Sequence, residues 1–356
     1  MNKIYENFWK NKKVFLTGHS GFKGSWMSFL LTYFGAKVTG YSLRQIKKKS
    51  FYNALSLKDL LNKEYIDNIC NFSKFKNAYE NCQPDVVFHF ASNAIVIDSY
   101  SNPKKTIDTN VVGLQNLLEI IRFSKKKPKS IIIVTSDKCY KNISNSKIFN
   151  ENDKLGGDDP YSASKAMQEI LVEAYNKSYF KKKLIATVRG GNVIGGGDRS
   201  DYRIVPDIIN CFEEKKILRI RNKDFIRPWQ FILDCLFGYE KLARFLFLSN
   251  KSKIRNNFSG GWNFGPKSTK NYRVLDLVKI SKKYFPNKII YIKKKNYSEK
   301  FSLRLSTKKT NNLLNYKPKF NFYESVNKTF EWYVSQSKKQ DMRLKTISQI
   351  EDYIIS

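Results

Sequence analysis

An α/β fold built on a doubly wound parallel sheet, with a smaller C-terminal lobe interleaved with it, is what this 356-residue sequence predicts. Three observations carry that prediction. Short apolar runs alternate with helical patterns over the first 190 residues, as parallel strands joined by crossover helices require. A glycine-spaced turn separates the first strand from the first long helix. After Gly191 the alternation loosens into glycine-rich turns and isolated strands, which marks a second lobe.

The elements follow in order. "KVFLT" (13–17) reads as a short buried strand. After "GHSGFKGSW" an apolar helical pattern runs through Trp26, Phe29, Leu30 and Phe34 and stops at Gly35. "AKVTGYSL" is a second strand, a third is expected just before Asp67, and "PDVVFHFA" (84–91) is the next. Helical spacing of Ile107, Val111, Leu114, Leu117, Leu118 and Ile121 predicts a helix from about Thr106 to Phe123. "SIIIVTS" is a strand. A long helix begins at Pro160, with Asp159 as N-cap and proline at the first helical position. "LIATVRGG" (184–191) is a further strand, and the apolar helix near 231–248 packs back on the first lobe. Residues 1–190, joined by 226–257, are therefore expected to form the first domain. Residues 191–225 and 258–335 form the smaller lobe, and 336–356 a polar tail, helical at best.

At 41% hydrophobic and 15% aromatic residues the composition is that of a globular protein. No N-terminal stretch resembles a signal peptide, and no run approaches the roughly 20 apolar residues of a membrane helix. A soluble cytoplasmic protein is expected. Cys70, Cys82, Cys139, Cys211 and Cys235 are odd in number and lack C-x-x-C spacing, which argues against a disulfide framework or a zinc site. Two histidines, His19 and His89, supply poorly any His-based triad or metal centre. No metal is expected.

The formal charge of +34 invites a nucleic-acid or membrane partner. Yet only 13 of the 65 basic residues are arginine, and lysine clusters recur along the whole chain, as at Lys47–Lys49, Lys125–Lys127, Lys181–Lys183 and Lys293–Lys295. With abundant Asn, Ile, Phe and Tyr this is the mixture an A/T-rich genome writes, and no basic–aromatic module of a nucleic-acid binder is present. Neither nucleic acid nor membrane is an expected partner. A positive field does favour an anionic nucleotide substrate.

Gly18, Gly21 and Gly24 follow a strand and open a helix. Without Cβ atoms the backbone can approach a pyrophosphate seated on the free N–H groups of the helix start, so the sheet is expected to be Rossmann-type and to bind a dinucleotide. The second strand ends in Tyr41, Ser42, Leu43 and Arg44, without the acidic residue that holds an NAD ribose. NAD is the expected cofactor, with NADP left open by Arg44. Asp67 and Ile69, just after the third strand, are candidates to contact the adenine. Tyr161 and Lys165 are i and i+4 on one helix face. A lysine ammonium beside a phenol stabilises the phenolate and makes it a usable base. Ser136, at the end of "SIIIVTS", completes a Ser–Tyr–Lys set.

Together "VFLTGHSGFKGSW", "VTSDKCY", "NDKLGGDDPYSASKA", "GGNVIGGGD", "RIVPD", "IRPWQ" and "SLRLSTKKTNNLL" make residues 12 to about 333 resemble the extended short-chain dehydrogenase/reductase superfamily. More narrowly the chain is similar to the CDP-glucose 4,6-dehydratases, through His19, Lys23, the Asp137–Lys138 pair and "GNVIGGGD". The resemblance implies a lyase that uses NAD without net redox. C4 of the sugar is oxidised, water is eliminated across C5 and C6, and hydride returns to C6. It assigns Tyr161 to the 4-hydroxyl proton, Asp137 as acid and Lys138 as C5 base, with Ser136 and Lys165 in support. It assigns Gly18, His19, Gly21, Phe22, Lys23, Gly24, Phe90, Ala91, Tyr161 and Lys165 to the cofactor, and Asn192, Arg203, Arg227 and Arg304 to a nucleoside diphosphate sugar. Arg227 suits a bidentate grip on diphosphate. The product would be a 4-keto-6-deoxy sugar nucleotide feeding deoxysugar and O-antigen-type polysaccharide biosynthesis. The implied assembly is a homodimer or tetramer, through the helices near 106–123 and 160–180.

The chain departs from that branch in several places. It lacks the usual Gln and paired Arg near Asn93, Ile97 and Asp98. Arg199 stands where Trp is usual and Phe231 where His is usual, and the segment from Tyr140 to Asp153 is short. These departures leave the reaction type intact and the base and hexose open. Trp229 and Phe264 are expected in the core, and Arg189 in a structural role. The alternatives are an epimerase or reductase on a nucleotide sugar, against which Asp137 and Lys138 speak, and a non-catalytic binder, against which Ser136, Tyr161 and Lys165 speak.

Overall fold

The computed structural model describes residues 2–141, 147–180, 184–249, 258–267, 270–292 and 303–356. The clusters Lys181–Lys183 and Lys293–Lys295 lie outside the described residues. Helix α1 (Asn2–Trp9) leads into β1 (Lys13–Thr17), α2 (Phe22–Tyr33), β2 (Lys37–Ser42), β3 (Lys63–Ile66), α3 (Phe72–Cys82) and β4 (Val86–His89). Helix α4 follows as Pro103–Ile107 and Gly113–Phe123 with a π-turn, Asp108–Val112, between them. Then come β5 (Ser130–Val134), α5 (Pro160–Ser178), β6 (Ile185–Gly190), α6 (Ile204–Glu213), β7 (Leu218–Arg221), α7 (Ile232–Ser249), β8 (Gly260–Phe264), β9 (Ile289–Ile292), α8 (Phe322–Ser337) and α9 (Met342–Ile355).

Seven strands form one parallel sheet in the order β8-β6-β5-β4-β1-β2-β3. Strands β4, β5 and β6 are buried along their whole length, which explains their unbroken apolar runs: both faces are covered by helices. The order reverses between β1 and β4, where a doubly wound sheet opens a crevice at the carboxyl ends of its strands. One core cluster joins β1 and α2 to α7, α8 and α9, and a second lies under α3, α4 and α5.

Two expectations change. Residues 260–264, assigned from sequence to the smaller lobe, add to the main sheet as β8, in register with β6 from Gly260↔Ala186 to Phe264↔Gly190. Their Trp262 and Phe264 are fully buried, so the strand is drawn in by its apolar side chains. The stretch from 336, expected to be a tail, holds α9. Its Ile350 and Tyr353 are buried, with Tyr353 stacked on Phe237 and its hydroxyl 2.8 Å from Asp234 Oδ1. The smaller lobe keeps the short parallel pair β7 and β9, and α6. Asp159 caps α5 as expected, accepting from the Ser162 N–H at 2.9 Å.

Candidate active site

The crevice at the switch point is a cavity of about 830 Å³ between the glycine loop, the carboxyl ends of β4, β5 and β6, and the 200–227 segment. Gly18, Gly21, Phe22, Lys23 and Gly24 line it. Gly18 has φ 74° and lies so close to β4 that a Cβ there would stand 2.6 Å from the Ala91 nitrogen. A Cβ at Gly24 would fall onto the Gly18 carbonyl, whereas one at Gly21 would meet only the Gly18 oxygen, at 3.4 Å. The loop therefore folds tightly on itself and leaves bare backbone in front of the α2 N-terminus, a cradle shaped for a dinucleotide pyrophosphate.

His19 is placed elsewhere. It is wholly buried beneath the loop, with Nε2 2.7 Å from Glu64 Oε1 on β3 and its ring against Gly40. Among the other expected cofactor residues, Phe90 lines the cavity and Ala91 braces Gly18. Asp67 and Ile69 do not line it: Asp67 pairs with Lys74 at 2.8 Å, and Ile69 is core, packed on Gly113. The wall there is built from the loop after β2, where Gln45 Nε2 donates to the Ser20 carbonyl at 2.7 Å and Gln45, Ile46 and Lys47 face the cavity. The sequence reading ends at Arg44; the hydroxyl of Ser42 is taken up by Ser20 at 2.5 Å and by the Leu43 carbonyl. The signal missed was the next three residues, Gln45, Ile46 and Lys47.

Ser136, Asp137, Lys138, Tyr161 and Lys165 all line the cavity. Strand β5 delivers the first three: its ladder ends at Val134, and a short turn over Asp137–Cys139 swings their side chains off the sheet. Ser136 Oγ donates to Asp137 Oδ1 at 2.9 Å and accepts the Lys138 N–H at 3.2 Å. Burial raises the Asp137 carboxyl above its ordinary range, against the opposing pull of Lys138, Ser136, Lys23 and Arg227. That is the direction an acid needs.

The Tyr161–Lys165 pair differs from expectation. Burial pushes the Tyr161 phenol up to about 12, offset in part by the Ser136 hydroxyl. Lys165 Nζ stands 5.8 Å from the Tyr161 ring centre and donates instead to the Val134 carbonyl at 3.3 Å and to Gln168 Oε1 at 2.9 Å. Burial first, and the Lys23 charge second, lower the Lys165 amine to about 7. Helix spacing put the two on one face but did not say which acceptor the lysine takes.

Asn192, Arg203 and Arg227 line the cavity, and Arg203 lies 3.6 Å from Asp198. Arg304 lies outside the lining, in a short strand paired with Ile148–Phe149. Arg219 of β7 also faces the cavity, a position that the short basic strand "LRIR" does not disclose in sequence. Basic Lys23, Lys47, Lys138, Lys165, Arg203, Arg219 and Arg227 outnumber acidic Asp137, Asp159, Asp198 and Asp207, so the cavity favours an anionic occupant.

The sequence departures now have positions. Arg199 is buried and ties α6 to the 44–50 loop and α8 through Asn210, Glu213, Lys49 and Gln336. Phe231 is core, against Phe320. Neither lines the cavity, whereas Asn93 and Ile97 do. Trp229 is 6% exposed at the cavity edge and Phe264 is core. Arg189 is buried against Glu169 at 2.7 Å and Tyr140 at 2.7 Å. In sum, a protonatable carboxyl, a lysine amine, a phenol and a second lysine meet in a cationic cavity beside a pyrophosphate cradle, a set that can move protons around a sugar ring.

A family model described as GDP-mannose 4,6 dehydratase matches residues 15–329. The chain is 36% identical over 360 residues to CDP-glucose 4,6-dehydratase of Salmonella typhimurium, covering 99% of this chain and 98% of that one. In structure it is similar to epimerase Mth375 of Methanothermobacter thermautotrophicus (TM-score 0.80, 21% identity, 95% and 97% of the two chains). It is also similar to dTDP-glucose 4,6-dehydratase of Bacillus anthracis, solved in complex with NAD (TM-score 0.74, 20% identity, 93% and 99%).

Proposed function

The chain belongs to the GDP-mannose 4,6-dehydratase family of nucleotide-sugar dehydratases, and from that premise we propose that it removes water from CDP-glucose to give the CDP-linked 4-keto-6-deoxy sugar. It is an NAD-dependent hydro-lyase of deoxysugar biosynthesis. The observation that carries the reading is the meeting of Asp137 and Lys138 with Tyr161 and Lys165 on one cavity.

NAD, when bound, supplies reversible hydride acceptance; Gly18, Gly21 and Gly24 would hold its pyrophosphate. The protein's own groups move the protons. Tyr161 takes the proton of the sugar 4-hydroxyl, with Ser136 beside it to ease the charge that forms. Elimination across C5 and C6 needs an acid at the departing oxygen and a base at C5–H. Asp137, whose carboxyl burial raises above its ordinary range, is the acid, and Lys138, the next residue in the chain, is the base when it is in its neutral form. Arg203 and Arg227 face the diphosphate, and Asn192 the sugar. CDP-glucose is favoured by the match over nearly the full length of both chains; of the departures, Arg199 and Phe231 lie away from the cavity and Asn93 and Ile97 line it.

The test is incubation with NAD and, separately, CDP-, dTDP-, UDP- and GDP-hexoses, followed by mass spectrometry of the nucleotide sugar. Loss of one water from CDP-glucose is the expected result. Loss from another sugar alone would keep the reaction and reassign the substrate. No loss from any, with NAD bound, would sink the proposal.

We place the enzyme in the cytoplasm, in keeping with its five free cysteines. Among the described residues no helix is long and apolar enough to cross a membrane. A homodimer is proposed through α4 and α5, whose outer faces expose Val112, Phe123, Met167 and Ile170. Sedimentation equilibrium giving a monomer mass at micromolar concentration would refute that assembly.

A further inference from the structure

Three buried side chains of α5 converge on the catalytic end of β5 and have different partners. Glu169 is fully engaged by Arg189 at 2.7 Å, Thr135 at 2.5 Å and Thr187 at 2.6 Å. Lys165, one turn earlier, donates to neutral acceptors, the Val134 carbonyl and Gln168 Oε1. Gln168 is 0% exposed, and its Nε2 donates to the Asn110 carbonyl at 2.6 Å. Asn110 sits in the π-turn of α4, a widened turn of the kind that shifts carbonyls out of the regular helical ladder. Its side chain is fixed in turn by Asn93 at 2.7 Å and Ser164 at 2.8 Å. From these bonds we infer that Gln168 is a positioning residue: it holds Lys165 Nζ in place through a neutral acceptor anchored on the α4 backbone. The inference rests on the reading of Tyr161 and Lys165 as the catalytic pair.

The amide is the operative choice. Ammonium and amine both carry N–H, so Gln168 Oε1 accepts from either form and the lysine keeps its place when its charge changes. A carboxylate at 168 would keep the contact and favour the cation. An apolar chain would leave Lys165 with the Val134 carbonyl alone, would strand the Asn110 carbonyl, and would favour the neutral amine. The groups that face Lys165 are Lys23 from α2, His89 from β4, Cys139 after β5, and Tyr161 and Glu169 from its own helix; α4 presents the neutral Asn110. Burial and Lys23 favour loss of its proton, and Glu169 and Cys139 oppose that.

Gln168→Glu and Gln168→Met test the assignment by two readouts. In the cofactor-free protein, trace acetylation across pH, read by mass spectrometry, gives the titration midpoint of Lys165. The midpoint should rise by about one pH unit or more in the glutamate variant and fall in the methionine variant. The alkaline limb of kcat for dehydration should move the same way in each, with KM for the nucleotide sugar held within about twofold. Circular dichroism establishes that each variant is folded. A folded variant that keeps the parent's midpoint and pH profile, and merely loses activity at every pH, overturns the inference. Labelling requires no turnover. A parent protein that releases no water from any nucleotide sugar would therefore defeat the functional proposal while the shifted midpoints upheld this one.

Discussion

Asp137 and Lys138 are neighbours in sequence with opposite tasks, and their surroundings separate them. Asp137 is 6% exposed, and Lys138 is only partly buried. Replacement of Asp137 by Asn keeps the shape and the Ser136 contact but removes the proton to be delivered. The expected outcome is a kcat loss of about 10²–10⁴-fold with substrate binding retained, read by steady-state kinetics and equilibrium dialysis. His89 makes a separate prediction. It is fully buried, its Nδ1 lies 2.8 Å from Thr17 Oγ1, and burial, with Lys165 next, lowers it to about 3. Its folded value lies below the unfolded 6.5, so the unfolded chain binds the extra proton. The contribution is complete above the unfolded value and is lost as pH falls toward 3, with a slope of up to about 1.4 kcal/mol per pH unit. His89→Gln should flatten that slope in urea titrations between pH 6 and pH 4. Residues such as Ser136, Asp137, Tyr161 and Lys165 were legible because their motifs are local. Asp67, Ile69 and Arg304 were not, because their positions are decided by Lys74, by α4 and by a strand partner far away in sequence.

Among elements, the glycine loop bears the sharpest constraint. A methyl group at Gly24 would collide with the Gly18 carbonyl, backbone that cannot yield without opening the cradle. NAD should raise the melting temperature of the parent protein by mass action, and Gly24→Ala should abolish most of that rise even where it folds. A full NAD-dependent rise in the variant would mean the pyrophosphate is held elsewhere. The strands and the Asp159 cap could be read directly because apolar runs and N-cap chemistry act over a few residues. The π-turn in α4 could not. The apolar spacing from Ile107 to Ile121 continues through it, and one widened turn leaves the helical pattern nearly unchanged. Gln168 was hidden for a similar reason: a polar residue in a helix reads as a solvated face until a second helix is laid over it.

For the whole molecule, the lobes are more entangled than the fading alternation after Gly191 implied, since β8 and α9 return to the first core. Periodicity records how a segment is buried but not which sheet buries it. Charge at this scale points to no particular partner, because lysine is spread along the whole chain. The few arginines carry more information. Arg189 reaches Tyr140 and Glu169 with different nitrogens, and Arg199 reaches Asn210, Glu213 and Gln336 in the same forked way. A lysine carries its donors on one nitrogen and does not reproduce this planar fork, whose donors sit on separate nitrogens. Arg189→Lys should lower stability by about 1–3 kcal/mol, through a buried acceptor left short of a donor. Arg273→Lys, half exposed with carboxylates 3.7 Å away, should stay within about 0.5 kcal/mol of the parent. In a chain this rich in lysine, the arginines that matter to the fold are those whose fork is engaged, as at Arg189 and Arg199, and not those like Arg273. Arg203, Arg219 and Arg227 bring the same forked shape to the cavity wall, where a diphosphate could take two parallel donors from each.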